Sequence, residues 1–211
     1  MHIYAFGSVC RGEIDPSSDI DMLAIVNGLD ARFNPSDYSI YSYSRIDELW
    51  REGNPFAWHL FLESKLIYAL DNADHLRSLG EPEKYKSGLM DCEKFHEIFL
   101  SAVKSLYESD LTEIFDLSSV FLAVRNFATC YSLHFGITPD FSRNSACNLG
   151  NNSIPINKDI YHLLERARVL CTRGVGDVLE TSEIIRSRTV LNQIDSWMEG
   201  LLKTIKRDSY E

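Results

Sequence analysis

The sequence predicts an α+β fold: a small mixed sheet over residues 1–80, followed by an antiparallel helical bundle over residues 86–211. Three observations carry that prediction. The first third of the chain holds short apolar runs bounded by Gly, Pro, Asn and Ser, the pattern of strands between turns. From residue 87 onward the apolar residues recur three and four apart, the period of a helix. Between these parts, residues 71–85 are polar, contain Gly80 and Pro82, and read as a linker.

The elements follow in order. Residues 1–6 form a short buried strand. Residues 8–13 begin a short helix that breaks near Ile14, Asp15 and Pro16. Residues 19–26 make a second strand, closed by Asn27 and Gly28. A turn-rich stretch with Asn34-Pro35-Ser36 leads into residues 37–43, whose β-favouring side chains predict a third strand. A helix over 45–51 ends at Gly53, and the next starts at Asn54-Pro55, with proline near its first turn, and runs to Glu63. The run KLIYAL, residues 65–70, is the last strand.

In the second part, helices are expected over 91–109, 113–135, 158–172 and 177–206, the last interrupted near Ser187. Phe115, Leu122, Phe127 and Tyr131 are expected to be buried in the second of these. Residues 137–157 are irregular. Four such helices suit an antiparallel bundle, which is also compatible with homodimerisation.

Bulk properties exclude several classes. A chain of 211 residues suffices for one large or two small domains. Its net charge of -10 and pI near 5.1 make it a poor partner for a long nucleic-acid backbone. Five scattered cysteines without a CxxC pair argue against a zinc site or disulfide framework and suit a reducing cytoplasm. Six residues precede Gly7, so no signal peptide is expected. No apolar run approaches the ~18 residues that a membrane helix needs.

The chemistry concentrates in residues 6–26, FGSVCRGEIDPSSDIDMLAIV. In a strand, residues two apart share a face, so Asp19 and Asp21 should converge while Ile20 packs on the opposite side. Two bare carboxylates side by side disfavour ionisation, and a divalent cation relieves that repulsion. Hard oxygen ligands suit Mg²⁺, which takes one or two carboxylates and completes its shell with water and phosphate. Gly7 and Ser8 fit the other half of such a site. Glycine lets the backbone approach a phosphate closely, and serine adds a hydroxyl beside the turn's N–H groups.

Gly7-Ser8, ten intervening residues, then Asp19-Ile20-Asp21, with the flanks RGE (residues 11–13) and SDIDM (residues 18–22), resemble the nucleotidyltransferase superfamily of DNA polymerase beta and the kanamycin nucleotidyltransferases. Among its members the chain looks most like the small MNT (minimal nucleotidyltransferase) proteins. NPFAWHLFLESKLIY, residues 54–68, is similar to the end of such domains. Relatives usually place a helix ahead of the first strand, whereas this chain starts almost at the motif. The second part resembles the helical, HEPN-related domains attached to nucleotidyltransferases. The HEPN nuclease pattern of Arg followed five residues on by His is not met, because Cys130 follows Arg125 and Asn148 follows Arg143.

The resemblance implies transfer of a nucleoside monophosphate, with ATP as donor, onto an acceptor hydroxyl. Asp19 and Asp21 would hold Mg²⁺, and Gly7, Ser8 and Arg11 would position the terminal phosphates. A third carboxylate belongs on the third strand. Asp37 is the candidate, with Ser39 as the other occupant of that place. The acceptor is a partner protein, as for MNT antitoxins of toxin–antitoxin pairs, or an aminoglycoside. A module that binds nucleotide or a partner without turnover is the reading from another class. His59, among apolar residues and without a neighbour that pairs with it as a catalytic base, reads as structural. Arg166, Arg168, Arg173, Arg186 and Arg188 read as solvated helix-surface charges rather than a phosphate site.

Overall fold

The computed structural model describes residues 1–14, 20–28 and 30–208. The chain divides into two compact units, Met1–Lys86 and a second beginning at Ser87. The fold is α+β, a small mixed sheet followed by a helical region.

The first unit is built on a four-stranded sheet of order β3-β2-β1-β4, formed by β1 (His2–Phe6), β2 (Asp21–Val26), β3 (Ser39–Ser42) and β4 (Lys65–Ala69). β1 runs antiparallel to β2 and β4, and β2 runs parallel to β3. Alternation along the strands decides the two faces. Tyr4, Phe6, Leu23 and Ile25 pack with Ile46, Leu49 and Trp50 of α2 (Tyr43–Glu52) and with Ala57 and Leu60 of α3 (Pro55–Glu63). Ala24 and Val26 face the other way, under Phe33, Ile3, Tyr38 and Ile40. Both helices are capped as their sequences dictate: Ser42 accepts from Arg45 N, and Asn54 accepts from Phe56 N ahead of Pro55.

Two expectations for this unit are corrected. The third strand is shorter than residues 37–43, because Asn34 holds the preceding stretch in a turn. Its carbonyl accepts from the N–H groups of Asp37 (2.9 Å) and Tyr38 (3.0 Å), and its side chain accepts from Ser36 N. Asp37 therefore lies in the turn, and Tyr43 already opens α2.

Residues 71–85 are not a bare linker. They include the short helix α4 (His75–Ser78), capped by Asp74, and they are stitched to the sheet unit. Tyr4 Oη donates to Asp74 (2.9 Å) and accepts from Leu76 N (3.0 Å). Trp50 Nε1 donates to Gly80 O (2.9 Å), and Trp58 Nε1 to Glu83 O (3.2 Å). Amphipathic rings with one polar tip anchor a polar segment in a way that composition does not reveal.

β4 is an edge strand whose Leu66, Ile67 and Tyr68 are exposed. One extra residue, Ile67, interrupts its pairing between Ile3↔Tyr68 and Tyr4↔Leu66.

The second unit is helical, with α5 (Gly88–Glu108), α6 (Glu113–His134), α7 (Lys158–Arg173), α8 (Thr181–Arg188) and α9 (Leu191–Asp208). α6 packs against α5, α7 and α9, and it is buried on nearly every side. The expected burial of Phe115 fails because it lies at the helix start, where it is 61% exposed, and Leu122 is only half-buried, while Leu117, Phe121 and Phe127 fill the core.

The last expected helix is two. α8 begins at Thr181 behind a capping box of Glu180 and Glu183, and the interruption falls at Thr189 and Val190. Two of the arginines expected to be solvated serve ion pairs within the unit. Arg188 reaches Glu113 (2.6 Å) and Asp110 (3.0 Å), and Arg166 binds Glu183. Among the described residues, no helix is long and apolar enough to cross a membrane.

Replacing Tyr4 by Phe should cost about 1–3 kcal/mol, since the buried N–H of Leu76 loses its acceptor while the ring's packing is kept. Urea unfolding of the variant against the parent chain measures this.

Candidate active site

The site forms where β1 runs out. Phe6, its last residue, pairs with Asp21, the first residue of β2. Gly7 follows with φ 76° and ψ -151°, a conformation essentially reserved for glycine. A side chain here would also have no room. A Cβ on Gly7 would lie 2.3 Å from Asp21 Oδ2, so the aspartate carboxylate occupies the space that the glycine leaves. The Gly-Ser turn and the second acid of the motif are thus in direct contact.

Ser8 opens α1 (Ser8–Arg11), a single turn of helix in which no residue is buried. Gly7 O accepts from Cys10 N (3.0 Å) and Arg11 N (3.3 Å), and Gly12 closes the turn in the left-handed region. Arg11 lies at its end. Its Nε donates to Glu13 (2.8 Å), and its Nη1 donates to Glu63 at the end of α3. Burial works against the guanidinium charge, but hydrogen bonds to Glu13 and Glu63 and the attraction of both carboxylates outweigh it and raise the pKa.

His59, one turn before Glu63, bonds the same carboxylate oxygen (Nε2 to Oε2, 2.8 Å) and sets its ring edge-on to Phe6. His59 therefore has a charged partner four residues on, contrary to the sequence reading. The signal was present as a helical i,i+4 spacing, but the third member, Arg11, is remote in sequence.

Asp19 lies outside the described residues. Ile20 is 62% exposed and precedes the strand, so it does not pack against the sheet as expected. It lines an open cleft of about 460 Å³ with Asp21, Met22 and residues 35–39. Asp21 shares the face of Leu23, and the parallel ladder pairs Leu23 with Ser39.

Two residues back along each chain stand Asp21 and Asp37, and both line this cleft. Asp37 is exposed there, with Oδ1 accepting from Ser36 Oγ (2.9 Å). Ser39 is the first residue of β3 and lines the same cleft. Among the described residues, no three His, Cys, Asp or Glu side chains cluster as a metal site. Asp21 and Asp37 both line this cleft, and a carboxylate is the hard oxygen donor that Mg²⁺ prefers.

Gly7, with Ser8 next to it, stands against Asp21, Asp37 shares the cleft with Asp21, and Arg11 sits at the end of α1 in a network with Glu63, Glu13 and His59. Residues 2–108 match the family model described as nucleotidyltransferase domain, a match that ends with the last residue of α5. No curated protein matches the chain.

Gly7→Ala should destabilise the protein by about 1–3 kcal/mol from backbone strain alone, with a further loss from displacing Asp21. Urea unfolding, set beside Gly12→Ala as a glycine with open space around it, separates the clash from the strain.

Proposed function

The chain belongs to the nucleotidyltransferase domain family, and on that footing we propose that it moves AMP from ATP onto an acceptor hydroxyl at the cleft between β2 and the turn before β3. The enzyme is a nucleotidyltransferase, and transfer of a nucleoside monophosphate is its reaction. The observation that carries the assignment of the site is the seat of the Asp21 carboxylate in the space beside Gly7.

In this reading the acceptor oxygen attacks the α-phosphorus, and the bond from that phosphorus to the bridging oxygen breaks to release pyrophosphate. Asp19 and Asp21 hold Mg²⁺, which when bound supplies charge neutralisation at the phosphate oxygens. Gly7 seats the Asp21 carboxylate beside the turn, and the turn's backbone N–H groups with the Ser8 hydroxyl receive the triphosphate tail. Asp37 takes the proton of the acceptor hydroxyl, a role its exposed place on the same cleft suits. Arg11 enters through its support of the turn, since its guanidinium already serves Glu63 and Glu13.

The cleft is open, and Ser36 and Asp37 at its rim are exposed. That suits a hydroxyl presented by a larger molecule, so the acceptor in this reading is a partner protein, as in MNT pairs, with the second unit as its HEPN-related helical companion. An aminoglycoside hydroxyl is the second acceptor to test.

Incubation with α-labelled ATP and Mg²⁺, with cell protein or kanamycin as acceptor, should place label on protein. Label on kanamycin instead would overturn the acceptor. Asp21→Asn and Asp19→Asn should each lower pyrophosphate release by about 100-fold or more, and EDTA should abolish it.

Asp37→Asn should lower turnover by about 100-fold with little change in KM, the effect of losing a general base. Ser39→Ala should leave turnover within about threefold. The reverse ranking would move the third position to Ser39.

A further inference from the structure

The Gly7–Ser8 turn is held by a very small element. α1 has four residues, all of them only half-buried, so little apolar surface fixes it to the core. Its end is instead tied through charge. The Arg11 guanidinium donates to Glu63, and the two side chains are only 18% and 11% exposed. Glu63 closes α3, a helix seated in the core by Ala57 and Leu60. The same Glu63 oxygen is bonded by His59, whose ring lies 5.4 Å from that of Phe6. Phe6 immediately precedes Gly7.

The contacts therefore close a ring, from Phe6 through the turn to Arg11, across to Glu63, back one helical turn to His59, and onto Phe6 again. Asp21 lies against the same turn at Gly7. Charge-assisted hydrogen bonds of low exposure are the strongest polar ties available to such a brace, and a fork of donors suits arginine to it.

We propose that Glu63 is a positioning residue for the reaction: through Arg11 and His59 it fixes the Gly7–Ser8 turn against Asp21 and so sets the affinity for the triphosphate. This rests on the reading that the turn receives the triphosphate. Glu63 touches no substrate in it and acts only through the turn. Small displacements of positioning groups carry large costs, of order 100-fold for about 1 Å.

The full chain is titrated with α,β-methylene-ATP and Mg²⁺, an analogue whose α–β bridge cannot be cleaved. Glu63→Gln keeps the shape and removes the charge. It should weaken binding about tenfold or more, as should Arg11→Gln, and the double variant should fall well short of the product of the two effects, because both break the Arg11–Glu63 tie. Unchanged affinity in Glu63→Gln, or effects that multiply in the double variant, would overturn the proposal.

Circular dichroism checks that each variant is folded. Should Glu63→Gln fail to fold, Arg11→Lys takes its place: it keeps the charge and loses the fork, and it should weaken binding at least threefold. Equal affinity in Arg11→Lys overturns the proposal as well. Asp21→Asn in the same titration tests the underlying reading separately. If it leaves the Mg²⁺ dependence of binding unchanged, that reading fails whatever Glu63 does, and if the parent chain does not bind the analogue, both fall.

Discussion

The arrangement of the first unit depends on one exclusion of volume: a glycine without a side chain, in a conformation other residues avoid, leaves room that an aspartate carboxylate fills. The pairing of Phe6 with Asp21 puts those two positions side by side, because the antiparallel register of β1 and β2 ends there. Everything that supports the register supports the site. Leu23 and Ile25 anchor β2 in the same core that holds Tyr4 and Phe6 of β1. A slip of one residue would turn Asp21 to the thinly covered face and bring Met22 against the turn.

Electrostatics at the site is divided between two neighbouring centres. On one side, Asp21 and Asp37 line an open polar cleft, with the Gly7 turn against Asp21. On the other, behind the turn, a guanidinium is matched by Glu63 and Glu13 and raised in pKa by them. The acidic chain thus keeps this cation for its own structure. Two arginines of the helical unit behave alike, as Arg166 and Arg188 are spent on Glu183, Glu113 and Asp110.

Much of this was legible in the sequence, and the failures have physical causes. Strands ended by Gly-Ser and Asn-Gly, and helices bounded by Gly53 and Asn54-Pro55, were readable because caps and turns are local chemistry, whereas the Ser42 cap was read as strand. The motif's spacing named two positions, Gly7 and Asp21, that stand side by side. Asp37 was placed one element too far along, since its β-favouring neighbours said strand while the Asn34 side chain and carbonyl imposed a turn. The polar stretch after β4 looked like a linker because its attachment comes from the tips of Tyr4 and Trp50, many residues upstream. His59 looked partnerless among its neighbours, and the Arg11 end of its network lies 52 residues from Glu63. Local patterns report local bonds, and these ties are made only when the chain folds back.

The extra residue in β4 has a consequence for how this sheet can grow. At Ile67 the outer backbone loses the regular two-residue beat that an arriving strand must match, and Lys65 sets a charge at the start of the same border. The apolar fringe left in solvent is therefore poor scaffolding for a ribbon of copies laid end on end. A strongly apolar margin is tolerable in a dissolved chain when its rhythm is broken, and here one inserted isoleucine does the breaking.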